Sequence, residues 1–337
     1  MSRVLILGGG GMVGQKLAGL IAAEGLPGDP TPEVTLFDIG YPDSSAPGVR
    51  STGDVSLPGT LSDLAGQDFD VIYALASVVS GEAEADFTKG WSTNLWPMWE
   101  LLEALRLRSE ASGGSYRPRL IFTSSIAVFG GPYPDVIDDD FLTSPQTSYG
   151  AQKATCELLV QDFSRKGFID GMSLRLPTIC VRPGKPNLAA SSFFSGIIRE
   201  PLNGEDARLP VPDTIRHTHA SPRSAARFLR HAAGIEQAAL NGRTALNLPG
   251  VSVTVAEQIE ALRVIAGNDA VSRIKPDPDE AVMAIVQGWP EVFDPARARA
   301  LGFVAEDDFA QIIEAYIADD LPSDPRQTGY SDFMSSK

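Results

Sequence analysis

Only two cysteines, Cys156 and Cys180, occur in the 337 residues. They fit neither a disulfide scaffold nor a metal-binding spacing, and both read as small core residues. Histidine is equally scarce: His217, His219 and His231 are the full set, and their spacing suggests no metal centre. Cations are outnumbered, with 28 Lys and Arg against 43 Asp and Glu. The resulting net charge of −15 disfavours nucleic acid or an anionic membrane as a partner. It also means that an anionic substrate needs a local basic pocket set against the overall field. No apolar run is long enough to span a membrane, and the chain enters Val4-Leu5-Ile6-Leu7 without the basic lead of a signal peptide, so a cytoplasmic protein is expected. There is no internal repeat. Residues 322–337 are rich in Ser, Asp and Gly and are expected to form a loose tail. What remains is an ordinary globular composition, 43% hydrophobic and 21% charged, in a chain long enough for one large α/β unit or two lobes.

The apolar run at 3–7 reads as a strand buried on both faces of a parallel sheet. It leads into Gly8-x-x-Gly11-x-x-Gly14, after which Val13, Leu17, Leu20 and Ile21 recur at helical spacing. Glycines between a buried strand and an amphipathic helix allow a tight turn and the close approach of a pyrophosphate, which then rests on the helix N-terminus. Gly8, Gly11, Met12, Val13 and Gly14 are therefore candidate cofactor-binding residues.

A second strand at 34–37 ends at Asp38. An acid there is placed to bind both ribose hydroxyls of an adenosine and to repel the extra phosphate of NADP, which points to NAD. A short strand at 49–52 runs into Asp54 and Val55, within reach of the adenine. The strand at 71–76 ends in small residues, and Leu75 and Ala76 leave room for the cofactor. Ser80 and the acidic segment 82–86 follow, where a loop can overhang a ligand. One helix then carries Asn94, Leu95, Met98, Leu101, Leu102 and Leu105.

The strand at 120–123 delivers Thr123, Ser124 and Ser125 to its carboxyl end, where open α/β sheets bind ligands. Ser144-Pro145 reads as a helix start. On that helix Tyr149 and Lys153 are four residues apart and share a face. An unperturbed phenol is a poor base at neutral pH, and an ammonium beside it favours the phenolate, so Tyr-x-x-x-Lys suits proton removal from an alcohol. The strand at 172–176 runs into Pro177, Thr178 and Ile179, then into a rigid loop at 181–187 holding Arg182 and Lys185.

Beyond this point the rhythm changes. Helices are expected at 189–199, 224–233, 255–266, 279–287 and 308–318, a short strand at 245–248, and irregular chain at 204–212. The expected organisation is a Rossmann domain over 1–180 with a return near 211–250. A smaller, partly interleaved lobe at 181–210 and 251–321 would close over the sheet.

The glycine turn, Asp38, Ser124-Ser125 and Tyr149-x-x-x-Lys153 together resemble the extended short-chain dehydrogenase/reductase superfamily, over roughly 3–320. That resemblance implies an α/β fold with a doubly wound parallel sheet, bound NAD and a homodimer assembled through helices that include the one bearing Tyr149. The segment Thr123-Ser124-Ser125-Ile126-Ala127-Val128-Phe129-Gly130 looks like the serine strand of the nucleotide-sugar epimerase branch, which makes Ser125 the catalytic serine. A narrower likeness, in 80–87, 176–187 and 191–193, is to the D-erythronate dehydrogenase group, which oxidises the C2 hydroxyl of a four-carbon sugar acid with NAD. Segment 216–223 lacks the paired acids usual in nucleotide-sugar enzymes.

By this resemblance Tyr149 takes the substrate proton, Lys153 supports the phenolate and binds the nicotinamide ribose, and Ser125 hydrogen-bonds the reacting oxygen. Asn94 holds a water or backbone near Lys153, and Pro177 and Ile179 join Thr123 among the cofactor contacts. Thr178, Lys185 and at least one of Arg182 and Arg216 are candidates for the substrate carboxylate, because the Arg fork matches a carboxylate. Ser80 and Ser125 are the fallback. A nucleotide-sugar epimerase or reductase with tightly held NAD, and a non-catalytic NAD sensor, are the competing readings.

Overall fold

The alternation of β1 (Arg3–Leu7) shows how the molecule is layered. Val4 and Ile6 enter one apolar cluster with Leu17, Ala18 and Ile21, while Leu5 and Leu7 enter another on the opposite face with Leu101, Leu105 and Val160. A strand buried on both faces has no solvent side, hence its unbroken apolar sequence. The structure is a computed structural model that describes residues 1–42, 45–184 and 190–321. Lys185 and Asn187 of the expected cation loop, and the expected tail at 322–337, lie outside the described residues.

From β1 the chain passes through α1 (Met12–Glu24), β2 (Glu33–Asp38), β3 (Val49–Thr52), α2 (Thr60–Ala65) and β4 (Val71–Ala74). It continues through α3 (Ser80–Ala85), α4 (Phe87–Asn94), α5 (Trp96–Ala111), β5 (Arg119–Ser125), α6 (Ser148–Arg165) and β6 (Asp170–Leu176). The second half holds β7 (Thr178–Ile179), α7 (Ser192–Leu202), β8 (Ala207–Leu209), β9 (Arg216–Ala220), α8 (Pro222–Ala232) and β10 (Ala245–Asn247). It ends with β11 (Val251–Thr254), α9 (Val255–Val271), β12 (Ile274–Pro276), α10 (Glu280–Val286), α11 (Ala296–Ala300) and α12 (Phe309–Asp319).

A seven-stranded sheet runs β10-β6-β5-β4-β1-β2-β3, with every neighbouring pair parallel. The winding reverses between β1 and β4. Ligands of open α/β sheets bind at such a reversal, outside the carboxyl ends of the strands. The chain returns to this sheet late: β10 pairs with β6, and α8 packs on α1. A third apolar cluster gathers Phe194, Ile197 and Ile198 of α7, Leu262 of α9 and Ile312, Ile313 and Tyr316 of α12. Two small sheets, β11-β9-β7 and β12-β8, complete that part.

Several elements differ from the sequence expectation. The single helix expected around Asn94 is two, α4 and α5, meeting at Leu95, because Pro97 suits the first turn of a new helix and not the interior of a continuing one. The helix bearing Tyr149 and Lys153, α6, starts at Ser148 rather than at Ser144-Pro145. Thr147 caps it by accepting the Gly150 N–H at 3.1 Å, and the Ser144 N–H donates to the Val128 carbonyl instead. The stretch 204–212 contains β8, which pairs with the distant β12. The helix expected at 189–199 is α7, shifted to Ser192–Leu202, whereas α9 breaks at Gly267, φ +78°, directly after the expected end at 266, before a short helical continuation to Val271.

Candidate active site

The glycine turn is shaped by contacts that exclude side chains. Gly8 has φ +85°, and a Cβ there would lie 2.7 Å from the Ala76 nitrogen. A Cβ on Gly14 would lie 2.3 Å from the Gly8 carbonyl, so α1 rests directly on the turn. Gly11 is different: a Cβ would meet only the Gly8 carbonyl, at 3.4 Å, and otherwise open space. Gly11 is also the N-cap of α1, with no side-chain cap and no acid in the first turn. The first amides of α1, including those of Met12, Val13 and Gly14, therefore face a vacant approach, as a diphosphate requires.

Asp38 closes the other side. Its Oδ2 accepts the Gly10 N–H at 2.9 Å and its Oδ1 the Ile39 N–H at 2.7 Å, which fixes the carboxylate beside the turn with lone pairs to spare. Asp54 folds back on its own turn, Oδ1 accepting from Ser56 N–H at 2.8 Å and Oγ at 2.7 Å. The Val55 side chain is buried in the apolar cluster with Leu61, Leu101 and Phe122, so its backbone is the part left to meet a ligand. The Leu75 N–H donates to the Leu7 carbonyl at 2.9 Å, which brings Ala76 against Gly8. These residues fit the adenosine and diphosphate of NAD.

Asn94 holds backbone, in keeping with the expectation for it. It is buried, its Oδ1 accepts from the Ser77 hydroxyl and the Val78 N–H at 2.9 Å each, and its Nδ2 donates to Gln152 at 2.7 Å. The carboxamide is used up in bracing the loop after β4, which carries Ser80 at the start of α3.

The carboxyl end of β5 carries Ser125 and faces the helix with Tyr149 and Lys153. Ser125 Oγ accepts the Ala127 N–H at 3.1 Å and starts a single 3-10 turn, Ile126–Val128. The N-terminus of α6 packs on this turn at Gly150, the residue after Tyr149, where a Cβ would lie 2.1 Å from the Ala127 carbonyl oxygen. One helical turn on, Lys153 is buried, with Nζ donating to the Thr123 carbonyl at 2.8 Å and lying 5.4 Å from the centre of the Tyr149 ring. Thr123 in turn donates its hydroxyl to the Ala74 carbonyl at 3.1 Å. Among the described residues no hydrogen bond engages the Tyr149 hydroxyl, which leaves it for a ligand.

Arg182 faces this group. Ser195 of α7 accepts its N–H at 3.0 Å, Arg199 donates to its carbonyl at 2.8 Å, and its own Nε donates to the Ile179 carbonyl at 3.3 Å. Burial pushes the guanidinium below its ordinary pKa, and the nearby Tyr149 acts in the opposite direction. No carboxylate pairs with Arg182 among the described residues. Arg216 is in the opposite situation: Nη1 donates to the Ser252 carbonyl at 2.9 Å and Nη2 pairs with Glu257 at 3.2 Å. Thr178 Oγ1 lies 2.7 Å from Nε2 of the buried His217, whose pKa burial lowers to about 4, so that imidazole is neutral. Pro177 links β6 to β7, and Ile179 is buried. Burial pushes both cysteine thiols up to about 12, as core residues require.

Sequence reasoning missed Ser195 and Arg199, which hold Arg182, and the buried Glu157 and Arg175 behind Ser125. One signal was present: an acid four residues after Lys153 falls on the buried face of α6, where acids are rare unless paired.

The model of the NAD dependent epimerase/dehydratase family matches residues 4–218. A protein of Cupriavidus necator named D-erythronate dehydrogenase is 45% identical over 94% of this chain and 98% of its own length. One of the same name from Haemophilus influenzae is 40% identical over 95% of this chain and all of its own. A crystal structure described as a nucleoside-diphosphate-sugar epimerase from Agrobacterium tumefaciens is 50% identical and superposes with a TM-score of 0.90, covering 95% of this chain and 94% of that one. With the family model matched from β1 into β9, and these relatives alike end to end, this chain belongs to the NAD dependent epimerase/dehydratase family.

Proposed function

We propose that this protein is an NAD-dependent dehydrogenase that oxidises the C2 hydroxyl of a small sugar acid, D-erythronate, to 2-dehydro-D-erythronate. The observation that carries this reading is Arg182, a partly buried cation held at its backbone by Ser195 and Arg199, near Tyr149 and without a carboxylate partner among the described residues. A base beside an unpaired guanidinium suits a substrate whose hydroxyl lies next to a carboxylate. The two relatives named D-erythronate dehydrogenase support the same substrate.

NAD is the cofactor of the family and, when bound, supplies the hydride acceptor. Gly8 to Gly14 and Asp38 hold its adenosine diphosphate half. Tyr149, as phenolate, takes the proton from the C2 hydroxyl. The Lys153 ammonium stabilises that phenolate and reaches the nicotinamide ribose. Ser125 donates to the reacting oxygen and steadies its developing charge. Arg182 grips the carboxylate, and Thr178 and Ser80 contact the remaining hydroxyls.

The description of the Agrobacterium relative favours a second reading, an epimerase with tightly held NAD. The experiment that separates them supplies NAD and D-erythronate and follows NADH absorbance. A dehydrogenase forms NADH in proportion to acid consumed, whereas an epimerase forms none. A homodimer through α5 and α6 is part of the proposal, because Trp96, Trp99 and Leu158 leave large apolar side chains in solvent on those helices. Sedimentation that finds only monomer at micromolar protein removes that part. No helix among the described residues is long and apolar enough to cross a membrane.

A further inference from the structure

The buried face of α6 carries opposite charges one turn apart, Lys153 and Glu157, only 2% and 5% exposed. Charges at this spacing on a helix ordinarily attract one another. Here they are kept apart. Lys153 donates to the Thr123 carbonyl, and the Glu157 carboxylate is taken from the other side by Arg175 of β6. Arg175 Nε reaches Glu157 Oε1 at 2.9 Å and Nη2 reaches Oε2 at 2.7 Å, a two-pronged contact, while the Ser124 hydroxyl donates to Oε1 at 2.5 Å. Arg175 is itself aimed by its surroundings. It lies 4.9 Å from the centre of the Phe129 ring, and Nη1 donates to Asn247 of β10 at 3.2 Å. Asn247 is anchored in turn to the Asp138 carbonyl at 3.1 Å.

We propose that Arg175 is a positioning residue: by holding Glu157 in this fork it leaves the Lys153 ammonium to Tyr149 and the nicotinamide ribose rather than to the carboxylate one turn along. The argument is one of charge. A buried carboxylate must have a partner, and removing one member of a buried pair strands the other. Without Arg175, Lys153 is the cation on the same face that Glu157 can recruit. Other groups around Tyr149 and Lys153 cannot substitute. Glu84 of α3 is exposed and accepts the Ser148 N–H at 2.9 Å, Cys156 is neutral with its pKa pushed up to about 12, and Arg182 is a cation on the substrate side. The proposal rests on Tyr149 being the base, and one of its two readouts does not depend on that.

The test compares the parent with Arg175→Met, Glu157→Gln and the double variant, each confirmed folded by circular dichroism. NADH affinity is read by fluorescence titration, and the pH profile of kcat/KM by NADH formation. Arg175→Met is expected to weaken NADH about tenfold, since the ribose contact of Lys153 is drawn away. It should also move the acidic limb of the profile up by about one pH unit, because the phenolate loses its neighbouring charge. The double variant, which lacks the competing carboxylate, is expected to return both values to near those of the parent. A folded Arg175→Met with parental NADH affinity and limb overturns the proposal, as does a double variant no better than the single one. Should Arg175→Met not fold, Arg175→Lys keeps the charge without the fork and is expected to shift both readouts in the same direction by less. Parental values there overturn the proposal equally. Failure of D-erythronate as a substrate would leave the NADH titration intact, so the two readings fail separately.

Discussion

Gly150 of α6 lies so close to Ala127 that a Cβ on it would sit 2.1 Å from the Ala127 carbonyl oxygen. Through this contact the helix bearing Tyr149 and the turn following Ser125 form one unit. Alanine is the better helix former by about 1 kcal/mol, but overpacking against fixed backbone costs roughly 1–3 kcal/mol. Gly150→Ala is therefore expected to lower Tm rather than raise it, and to lower turnover by separating Tyr149 from Ser125. A thermal melt showing stabilisation with full turnover would contradict this account of the site.

Tyr149→Phe removes the proton acceptor and keeps the ring. General acid–base groups typically contribute about 10²–10⁴-fold, so turnover on D-erythronate should fall by that order while NADH affinity stays near parental. Turnover within tenfold of the parent takes Tyr149 out of the mechanism.

Asp38 should favour NAD over NADP by about 10–100-fold, the equivalent of roughly 1.5–3 kcal/mol for hydrogen bonds to a charged group. Because Asp38 also fixes the Gly10 amide, Asp38→Ala should raise the KM for NAD as well as shrink the preference. Equal efficiency of the parent with both cofactors rules the assignment out.

The two arginines should part company. Loss of a buried charged contact of about 1.5–4 kcal/mol raises the KM for D-erythronate about 10–1000-fold in Arg182→Ala. Arg216→Ala gives up a pair with the half-exposed Glu257, of a kind that contributes about 0–1 kcal/mol, and should leave KM within about threefold. Steady-state kinetics that show the reverse order place the carboxylate at Arg216.

Much of the cofactor half was legible because its signals are local. A buried strand, a glycine turn and an amphipathic helix are neighbours in sequence, and Asp38 ends the next strand. Tyr149 and Lys153 share a face by helical geometry alone. Caps were not read from the sequence: the structure shows Thr254 and Glu257 forming a capping box at the start of α9, and Asp308 capping α12. The start of α6 was misread because Ser144-Pro145 satisfies the local pattern, while the Ser144 amide is taken by Val128, outside any local window.

The sequence by itself determined the winding of the first sheet strands, the cofactor class and the shared helix face of Tyr149 and Lys153. The tertiary structure decided which charges are left over for chemistry. Arg182 and Arg216 carry the same side chain, yet Arg216 meets Ser252, 36 residues away, and pairs with Glu257, whereas Arg182 is held at its backbone by Ser195 and Arg199 and has no carboxylate partner among the described residues. Glu157 and Lys153 are at a helical spacing that predicts an ion pair, yet Glu157 pairs with Arg175 of β6 and Lys153 donates to the Thr123 carbonyl. Backbone propensity acts over a turn or two of chain. Electrostatic pairing depends on distance through space and on burial, and both are set only when remote strands and helices are brought together.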